Sequence, residues 1–371
     1  MRIGIDARLI NETGVGRYIR NLIWQLEICD SKNEYFIYLR KEDFKSFTPK
    51  TLKWKKKLLD VAWHSILEQI TVPRVLIKDR LDVAHFPYFN VPILYPRKYL
   101  LTIHDLIVDH FDTGRASTRS PVAYKVKRLG YKVANTMGIN RASYITVISN
   151  TTRDELILHY RVDPNRVSVT YDALDINFLQ VLKTQKPFNF YNSAYILYIG
   201  NAYPHKNLER LISAFCLILK KRKIKLVLAG DDNYFFHRLK NDVKKLGLHK
   251  DILFFGKASD SDLINLYTHA KCLVFPSLME GFGLPNLESL ACGCLPVVSD
   301  IPVFHEIWGN LLSYFNPKDI DDMASKILAT ISFPINVYRD RVNLAKTRIK
   351  DFSWEATALT TLSLYEQISS L

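Results

Sequence analysis

The sequence predicts an α/β protein made of two Rossmann-like domains with parallel sheets, facing one another across an interdomain cleft. Three observations carry this. Strand-like and helix-like segments alternate through each half of the chain, the pattern of parallel strands joined by crossover helices. The periodicity fails once, in a polar segment near 182–193 that contains Pro187. A chain of 371 residues also exceeds what a single core usually organises. Residues 1–181 are therefore expected to form the first domain and residues 194–350 the second, with a closing helical segment, 353–371, free to pack back on the first.

Strands are expected in the first half at Arg2–Asp6, Tyr35–Leu39, Asp82–Phe86, Tyr99–Ile103, Tyr144–Ile148 and Arg166–Thr170. Between them Gly16–Ile28 reads as a helix, because Ile19, Leu22, Ile23 and Leu26 recur at helical spacing. Further helices are expected near Trp63–Lys78, Pro121–Asn140 and Thr152–Tyr160, with Pro73 kinking or ending the first of these. The second half offers strands Tyr195–Ile199, Lys225–Ala229, Ile252–Phe255, Cys272–Phe275 and Leu295–Val298. Its helices fall near Asn207–Lys221, Tyr234–Leu246, Asp260–Thr268, Leu284–Cys292 and Asp319–Thr330, and a last one at Trp354–Ser369. In open sheets of this kind ligands bind beyond the carboxyl ends of the strands, so functional residues should follow strands.

Composition excludes several classes. Apolar residues make up 48% and charged residues 24%, which rules out a disordered chain. No apolar run approaches the roughly 18 residues of a spanning helix, and the first residues read as a strand without a signal-peptide core, so a cytoplasmic protein is expected. Five cysteines, Cys29, Cys216, Cys272, Cys292 and Cys294, form no Cys-x-x-Cys pair, and reduced, mostly buried thiols are expected. The net charge of +14 favours anionic partners. Residues 1–180 hold 28 Lys and Arg against 19 Asp and Glu. The densest patch, Lys53-Trp54-Lys55-Lys56-Lys57, reads as a solvated loop or, alternatively, as a contact with lipid headgroups.

The most informative segment is Glu280-Gly-Phe-Gly-Leu-Pro-Asn-Leu-Glu288. It reads as an acidic loop end, a tight turn and a helix that Pro285 starts, so the amides of the first turn can meet an anion while both carboxylates accept from hydroxyls. A polyol bearing phosphate fits; so does an ordinary loop-to-helix junction. After the first strand, Thr13-Gly-Val-Gly-Arg17 opens a helix, either as a phosphate or sugar contact or as a plain turn. His104-Asp105 follows the fourth expected strand, where the histidine either donates to a substrate hydroxyl or is satisfied within its loop. Gly200-Asn-Ala-Tyr-Pro-His205-Lys206-Asn207 follows the first strand of the second domain. There Lys206 is placed to neutralise a pyrophosphate, and Asn207 reads as a helix N-cap. Asp260-Ser-Asp262 and Asp319-Ile-Asp321 match a metal-binding pattern, but each opens a helix, so capping accounts for them and no metal is expected.

Together these residues resemble the retaining glycosyltransferases of family 4, of GT-B fold. The resemblance spans nearly the whole chain and rests on Gly14-Val-Gly16-Arg17-Tyr18, His104-Asp105-Leu106, Tyr144–Asn150, Pro204-His-Lys-Asn207 and, most specifically, the Glu280 to Glu288 block with Gly293 and Pro296. It implies that Glu288 holds the donor ribose, that Glu280 lies by the transferred sugar and that Lys206 binds the donor phosphates. Phe282, Gly283 and Leu284 would supply backbone around sugar and pyrophosphate, Gly14 and Gly16 would close from the other domain, and His104 would touch a sugar hydroxyl. His104, Glu280 and Lys206 are thus the expected catalytic residues, with no cofactor and no essential metal. Two departures stand out. Many members carry an arginine near the lysine where this chain offers His205, and many have Asn-Gly where it has Asp172-Ala173-Leu174-Asp175, so that turn must differ.

The expected activity is transfer of a hexose, mannose by general similarity, from a nucleoside-diphosphate sugar to a glycan or lipid-linked acceptor, in cell-surface polysaccharide or glycolipid synthesis. Docking on an anionic inner membrane face is the expectation that the basic first half raises. The alternatives are a non-catalytic sugar-nucleotide binder and a basic nucleic-acid-binding protein. No helix concentrates the basic residues, so no nucleic-acid partner is expected.

Overall fold

A computed structural model describes the chain except for residues 13, 64, 90 and 112–120, and describes no side chains for 121–129 and 131. Its described residues form two compact units. The first comprises those within Met1–Leu106, Ser117–Asp172 and Ser353–Leu371; the second comprises those within Ile107–Ala116 and Ala173–Phe352. Among the described residues no helix is long and apolar enough to cross a membrane.

The first unit is built on seven parallel strands: β1 (Arg2–Asp6), β2 (Glu34–Leu39), β3 (Trp54–Leu58), β4 (Val83–Phe86), β5 (Tyr99–Ile103), β6 (Tyr144–Val147) and β7 (Val167–Val169). Their spatial order is β3-β2-β1-β4-β5-β6-β7. The central strands are buried along nearly their whole length, as expected where helices cover both faces of a parallel sheet. Order reverses at β1 and β4, which pair directly through Ile3 and Val83.

β3 was not expected. Its Lys55-Lys56-Lys57 run masks an edge strand that pairs in parallel with Tyr35–Leu39. Trp54 stacks on Tyr35 with ring centroids 3.9 Å apart. The lysines are engaged: Lys55 Nζ lies 3.2 Å from Glu34, Lys57 Nζ lies 2.8 Å from Asp79, and Lys56 Nζ donates to the carbonyls of Phe44 and Phe47. The patch is therefore an edge strand and not the solvated loop that the sequence suggested. Charged residues on an edge strand also discourage pairing with another chain.

The helix Ile66–Lys78 runs through Pro73, which neither ends it nor lies exposed. Its orientation is fixed by a buried ion triad at the carboxyl end of β1. Arg8 donates to both oxygens of Asp6 at 2.8 and 2.6 Å, to Glu68 at 2.6 Å and to the Val61 carbonyl at 3.1 Å, and these carboxylates together raise its pKa above the ordinary arginine value despite burial. The last helix, Trp354–Ser370, packs on the helix Gly14–Cys29. Trp354 sets its ring edge-on to Tyr18, the Tyr365 hydroxyl pairs with His85 Nδ1 at 2.6 Å, and Thr357 donates to the Tyr171 carbonyl.

The second unit repeats the plan with six parallel strands: β8 (Tyr195–Ile199), β9 (Lys225–Ala229), β10 (Ile252–Gly256), β11 (Leu273–Phe275), β12 (Pro296–Ser299) and β13 (Ser313–Phe315), in the order β10-β9-β8-β11-β12-β13. Short β13 also escaped the sequence pattern, as did the helices Ile176–Thr184, Pro302–Trp308 and Ile335–Ile349. Residues 173–181 belong to this unit and not to the first, as the sequence boundary had them, because Phe178 is fully buried in one cluster with Tyr195, Leu197 and Leu263. Of the five free cysteines only Cys272 and Cys294 are fully buried; the other three are half-buried, fewer than expected.

Removing the guanidinium of the triad leaves two carboxylates in a site that excludes water. Arg8→Ala is expected to lower stability by about 3–5 kcal/mol, measured by urea unfolding, whereas Arg2→Ala at an exposed pair should cost under about 1 kcal/mol.

Candidate active site

The chemistry-bearing residues of the second unit leave the carboxyl ends of β8 and β11, the pair at which strand order reverses. After β8 the chain makes a short 3-10 turn, Pro204–Lys206, and Asn207 takes a left-handed conformation at φ 63°. Asn207 sits where a helix N-cap is expected but makes no capping bond. Its buried amide instead donates to the carbonyls of Pro276 at 3.0 Å and Pro317 at 2.7 Å. The Leu278 amide donates in turn to the His205 carbonyl at 2.7 Å. These bonds clamp the loop after β8 to the loop after β11 and bring Lys206 Nζ to 2.5 Å from Glu280 Oε1, with both side chains almost wholly buried.

The block that follows turns at Gly283, whose φ of 93° disfavours any other residue. A Cβ there would lie 2.8 Å from the Phe304 ring and 2.9 Å from the Asn286 amide. Phe282 is buried against the edge of Phe352, and Pro285 occupies the first turn of the helix Leu284–Ala291 as expected. The Asn286 amide is taken by the Gly283 carbonyl, while among the described residues the N–H groups of Gly283 and Leu284 have no partner. Glu288, one turn further, is buried and accepts from the Tyr267 hydroxyl at 3.0 Å. The two glutamates thus have separate partners, one cationic and one phenolic.

His205 stands near Lys206, where many family members place an arginine, but it supplies no second cation. Burial, with the nearby Lys206 charge, holds its imidazole down at about 3, and its ring lies against Tyr203 and Phe111. Among the described residues its Nδ1, the Ser277 hydroxyl and both polar atoms of the Asn286 side chain are buried with no hydrogen-bond partner. Sequence reasoning passed over Ser277, Asn286 and Tyr267. Asn286 had a signal, a polar residue inside the Glu-x7-Glu block; Tyr267 had none. The Asp-x-Asp pairs act as helix caps: Ser259 and Asp262 form a reciprocal capping box, and Asp319 accepts from the amides of Asp321 and Asp322.

In the first unit the helix Gly14–Cys29 begins at the expected Gly-x-Gly, with Thr13 outside the described residues. A side chain at Gly14 would meet open space, whereas one at Gly16 would strike the carbonyls of Ile10 and Leu9, so backbone crowding alone requires the second glycine. Tyr18 of this helix sets its ring edge-on to His104 at 4.9 Å. His104 Nε2 donates to the Pro87 carbonyl at 2.8 Å, and burial holds its pKa down at about 4. A neutral ring that donates from Nε2 has only an acceptor left at Nδ1. In this arrangement Nδ1 can only accept a hydrogen bond, where the sequence reading had the histidine donating. In the departing turn, Ala173 is not among the residues at positive φ, so this backbone avoids the glycine conformation, and burial pushes the Asp172 carboxyl up to about 7.

Two parallel Rossmann-like sheets, the second carrying a lysine paired with the first glutamate of a Glu-x7-Glu block, are the architecture of a GT-B glycosyltransferase. Family comparison agrees. Residues 13–178 match the model "Glycosyltransferase Family 4" and residues 182–348 the model "Glycosyl transferases group 1". The chain belongs to this family of retaining glycosyltransferases. It is 28% identical over 279 residues to the O-antigen chain mannosyltransferase RfbU of Salmonella typhimurium, covering 73% of this chain and 71% of that one. Against the O-antigen chain mannosyltransferase B of Escherichia coli it is 26% identical, covering 78% and 76%. Among solved structures, the sucrose-phosphate synthase of Thermosynechococcus elongatus superposes with a TM-score of 0.76 at 18% identity, over 100% of this chain and 99% of that one. Anabaena HepE, solved with UDP-glucose, superposes at 0.72 and 16% identity over the whole of both chains. These likenesses establish the GT-B fold.

Two outcomes follow from the geometry. Gly283→Ala forces a side chain into a left-handed turn already in contact with Phe304, and should destabilise the protein by about 1–3 kcal/mol in thermal unfolding. His205 is neutral when folded and binds a proton at its ordinary pKa of 6.5 when unfolded. Its contribution is therefore present above pH 6.5 and is lost as pH falls from there toward 3. In His205→Gln the acid-side slope of stability against pH should be shallower by up to one proton, measured by unfolding at a series of pH values.

Proposed function

We propose that the protein transfers a hexose, mannose foremost, from a nucleoside-diphosphate sugar to a glycan or lipid-linked acceptor with retention, in the synthesis of a cell-surface polysaccharide or glycolipid. The sugar and the acceptor class are suggested by the O-antigen mannosyltransferases among its relatives, and a nucleotide-sugar donor by HepE with UDP-glucose. The acceptor reading carries a location with it: the cytoplasmic side of a membrane, where the enzyme docks peripherally.

The observation that supports this most is the Lys206–Glu280 pair beside the unpartnered amides of Gly283 and Leu284. In such a transfer the bond between sugar and phosphate breaks and negative charge accumulates on the departing diphosphate. A lysine and helix-start amides held in place stabilise that charge where it grows. Lys206 is assigned to the diphosphate, exchanging Glu280 for it, and Glu280 is then released toward the transferred sugar. Glu288 is assigned to the ribose hydroxyls, Phe282, Gly283 and Leu284 to backbone contacts with sugar and pyrophosphate, and Gly14 and Gly16 to the donor from the first unit. His104 Nδ1 accepts from a sugar hydroxyl. The buried unpartnered atoms of Ser277 and Asn286 fit a region that a polar ligand or water completes.

Thermal-shift titration with UDP, GDP, ADP and their sugars identifies the donor, since a ligand that binds only the folded state raises its stability. Lys206→Ala should weaken nucleoside-diphosphate binding by about tenfold or more, a charge-assisted contact being worth roughly 1.5–3 kcal/mol. Glu288→Ala should weaken binding of the diphosphate and of the nucleoside alike. Unchanged donor affinity in both variants refutes these roles, and donor binding with no transfer or hydrolysis across an acceptor panel assigns the protein to non-catalytic binding.

A further inference from the structure

The helix Ile66–Lys78 presents an inverted surface. Ile66, Leu67, Ile70 and Ile77 are exposed, Ile66 by 86% and Leu67 by 61%, and so are Arg74 and Lys78. At about 100° per residue these six positions fall within roughly a third of the helix circumference, one continuous outward stripe. Burying apolar side chains is the ordinary use of such a stripe, so an exposed one calls for a partner. The helix's one acidic residue, Glu68, is turned inward to Arg8 at 2.6 Å. That buried ion pair sets the rotation of the helix and keeps the outer stripe free of negative charge.

The neighbouring loop extends the same surface. The Ile93 amide donates to the Gln69 side chain at 2.7 Å, which seats the loop against the helix. Leu94 is 60% exposed, and Arg97 and Lys98 follow it, exposed. Trp63, half-buried, precedes the helix. Among the described residues Arg74, Lys78 and Lys98 make no ion pair. Exposed aliphatics with a tryptophan beside them and unpaired cations around them match the interfacial layer of an anionic bilayer, where apolar side chains enter the acyl boundary and lysines and arginines meet headgroup phosphates. A protein partner of ordinary surface composition gives no such reason for cations without acids.

We propose that this stripe, Ile66, Leu67, Ile70 and Leu94 with Arg74 and Lys78, docks the first unit on an anionic lipid surface. Glu68 meets Arg8 just past the carboxyl end of β1, so the stripe starts, at Ile66 and Leu67, near the strand ends from which the His104 loop also departs, and it runs from there toward Lys78, beside Asp79 at the amino end of β1. The inference deepens the lipid-linked acceptor reading and rests on it.

Co-sedimentation of the full chain with phosphatidylglycerol-containing vesicles, against phosphatidylcholine alone, tests the surface. Wild type should pellet with the anionic vesicles and be released by salt. Ile66→Ser/Leu67→Ser/Ile70→Ser, all at exposed positions, should lower the partition coefficient about tenfold or more. Arg74→Glu/Lys78→Glu should abolish the anionic preference, and Lys244→Glu/Lys245→Glu on the second unit should leave binding unchanged. Undiminished binding of the triple variant, equal loss in the Lys244/Lys245 variant, or no vesicle binding by wild type overturns the surface. So does a dimer that the triple variant dissociates while wild type ignores vesicles, which assigns the stripe to a second copy. The acceptor reading is tested apart, by transfer to a lipid-linked acceptor in detergent. Transfer without vesicle binding sinks the surface alone; the expected vesicle results without transfer to any lipid-linked acceptor sink that reading alone.

Discussion

β8 and β11 hydrogen-bond side by side although β9 and β10 separate them in the chain, and the geometry around Lys206 and Glu280 depends on that adjacency. Where parallel strand order reverses, the two outgoing loops diverge over opposite faces and leave a crevice at their origin. Asn207 spans it with one donated hydrogen bond, to Pro276 after β11, and donates a second to Pro317 after β13. The backbone at 207 adopts the left-handed region, which asparagine tolerates better than most residues. Lys206 is thereby carried to Glu280 with no freedom to wander. The lysine's long stem would otherwise lose much entropy on meeting a ligand.

The first unit solves a comparable problem with charge in place of an amide. Arg8 gathers Asp6 at the end of β1 and Glu68 from a distant helix, and burial makes the arrangement costly to break. One consequence is local stability. Another is the direction in which the helix Ile66–Lys78 faces, so a buried ion pair decides which side chains reach the surface. The closing helix Trp354–Ser370 contributes through Tyr18, whose ring lies between Trp354 and His104. His104 is thus held by a carbonyl at Nε2 and by an aromatic wall, and its remaining nitrogen has a defined role as an acceptor.

The electrostatics of the second unit are sparse. Burial keeps His205 neutral, so it adds no second positive charge beside Lys206. Glu280 holds the lysine at 2.5 Å. That pairing offsets the cost of burying both charges.

Much was legible in the sequence because it is written in local periodicity and in residues with few conformational uses. The alternation of strand and helix foretold two parallel sheets, Pro285 marked a helix start, and Gly283 and Lys206 announced themselves by type and by position after a strand. The edge strand β3 was hidden because its lysines obey cross-strand pairing, which a linear reading takes for a solvated run. The boundary near residue 181 was misplaced because the core that claims Phe178 is assembled from β8, β11 and the helix Asp260–His269, none of them nearby in sequence. Residue types and their order along the chain determined the fold class, the family and the candidate site residues. Which nitrogen of His104 is free, that Asn207 clamps where a cap was expected, that His205 is neutral and that an apolar stripe faces outward were decided only by tertiary structure. Each depends on burial and on partners brought from far along the chain, and the energies of hydrogen bonds and charges are set by that environment.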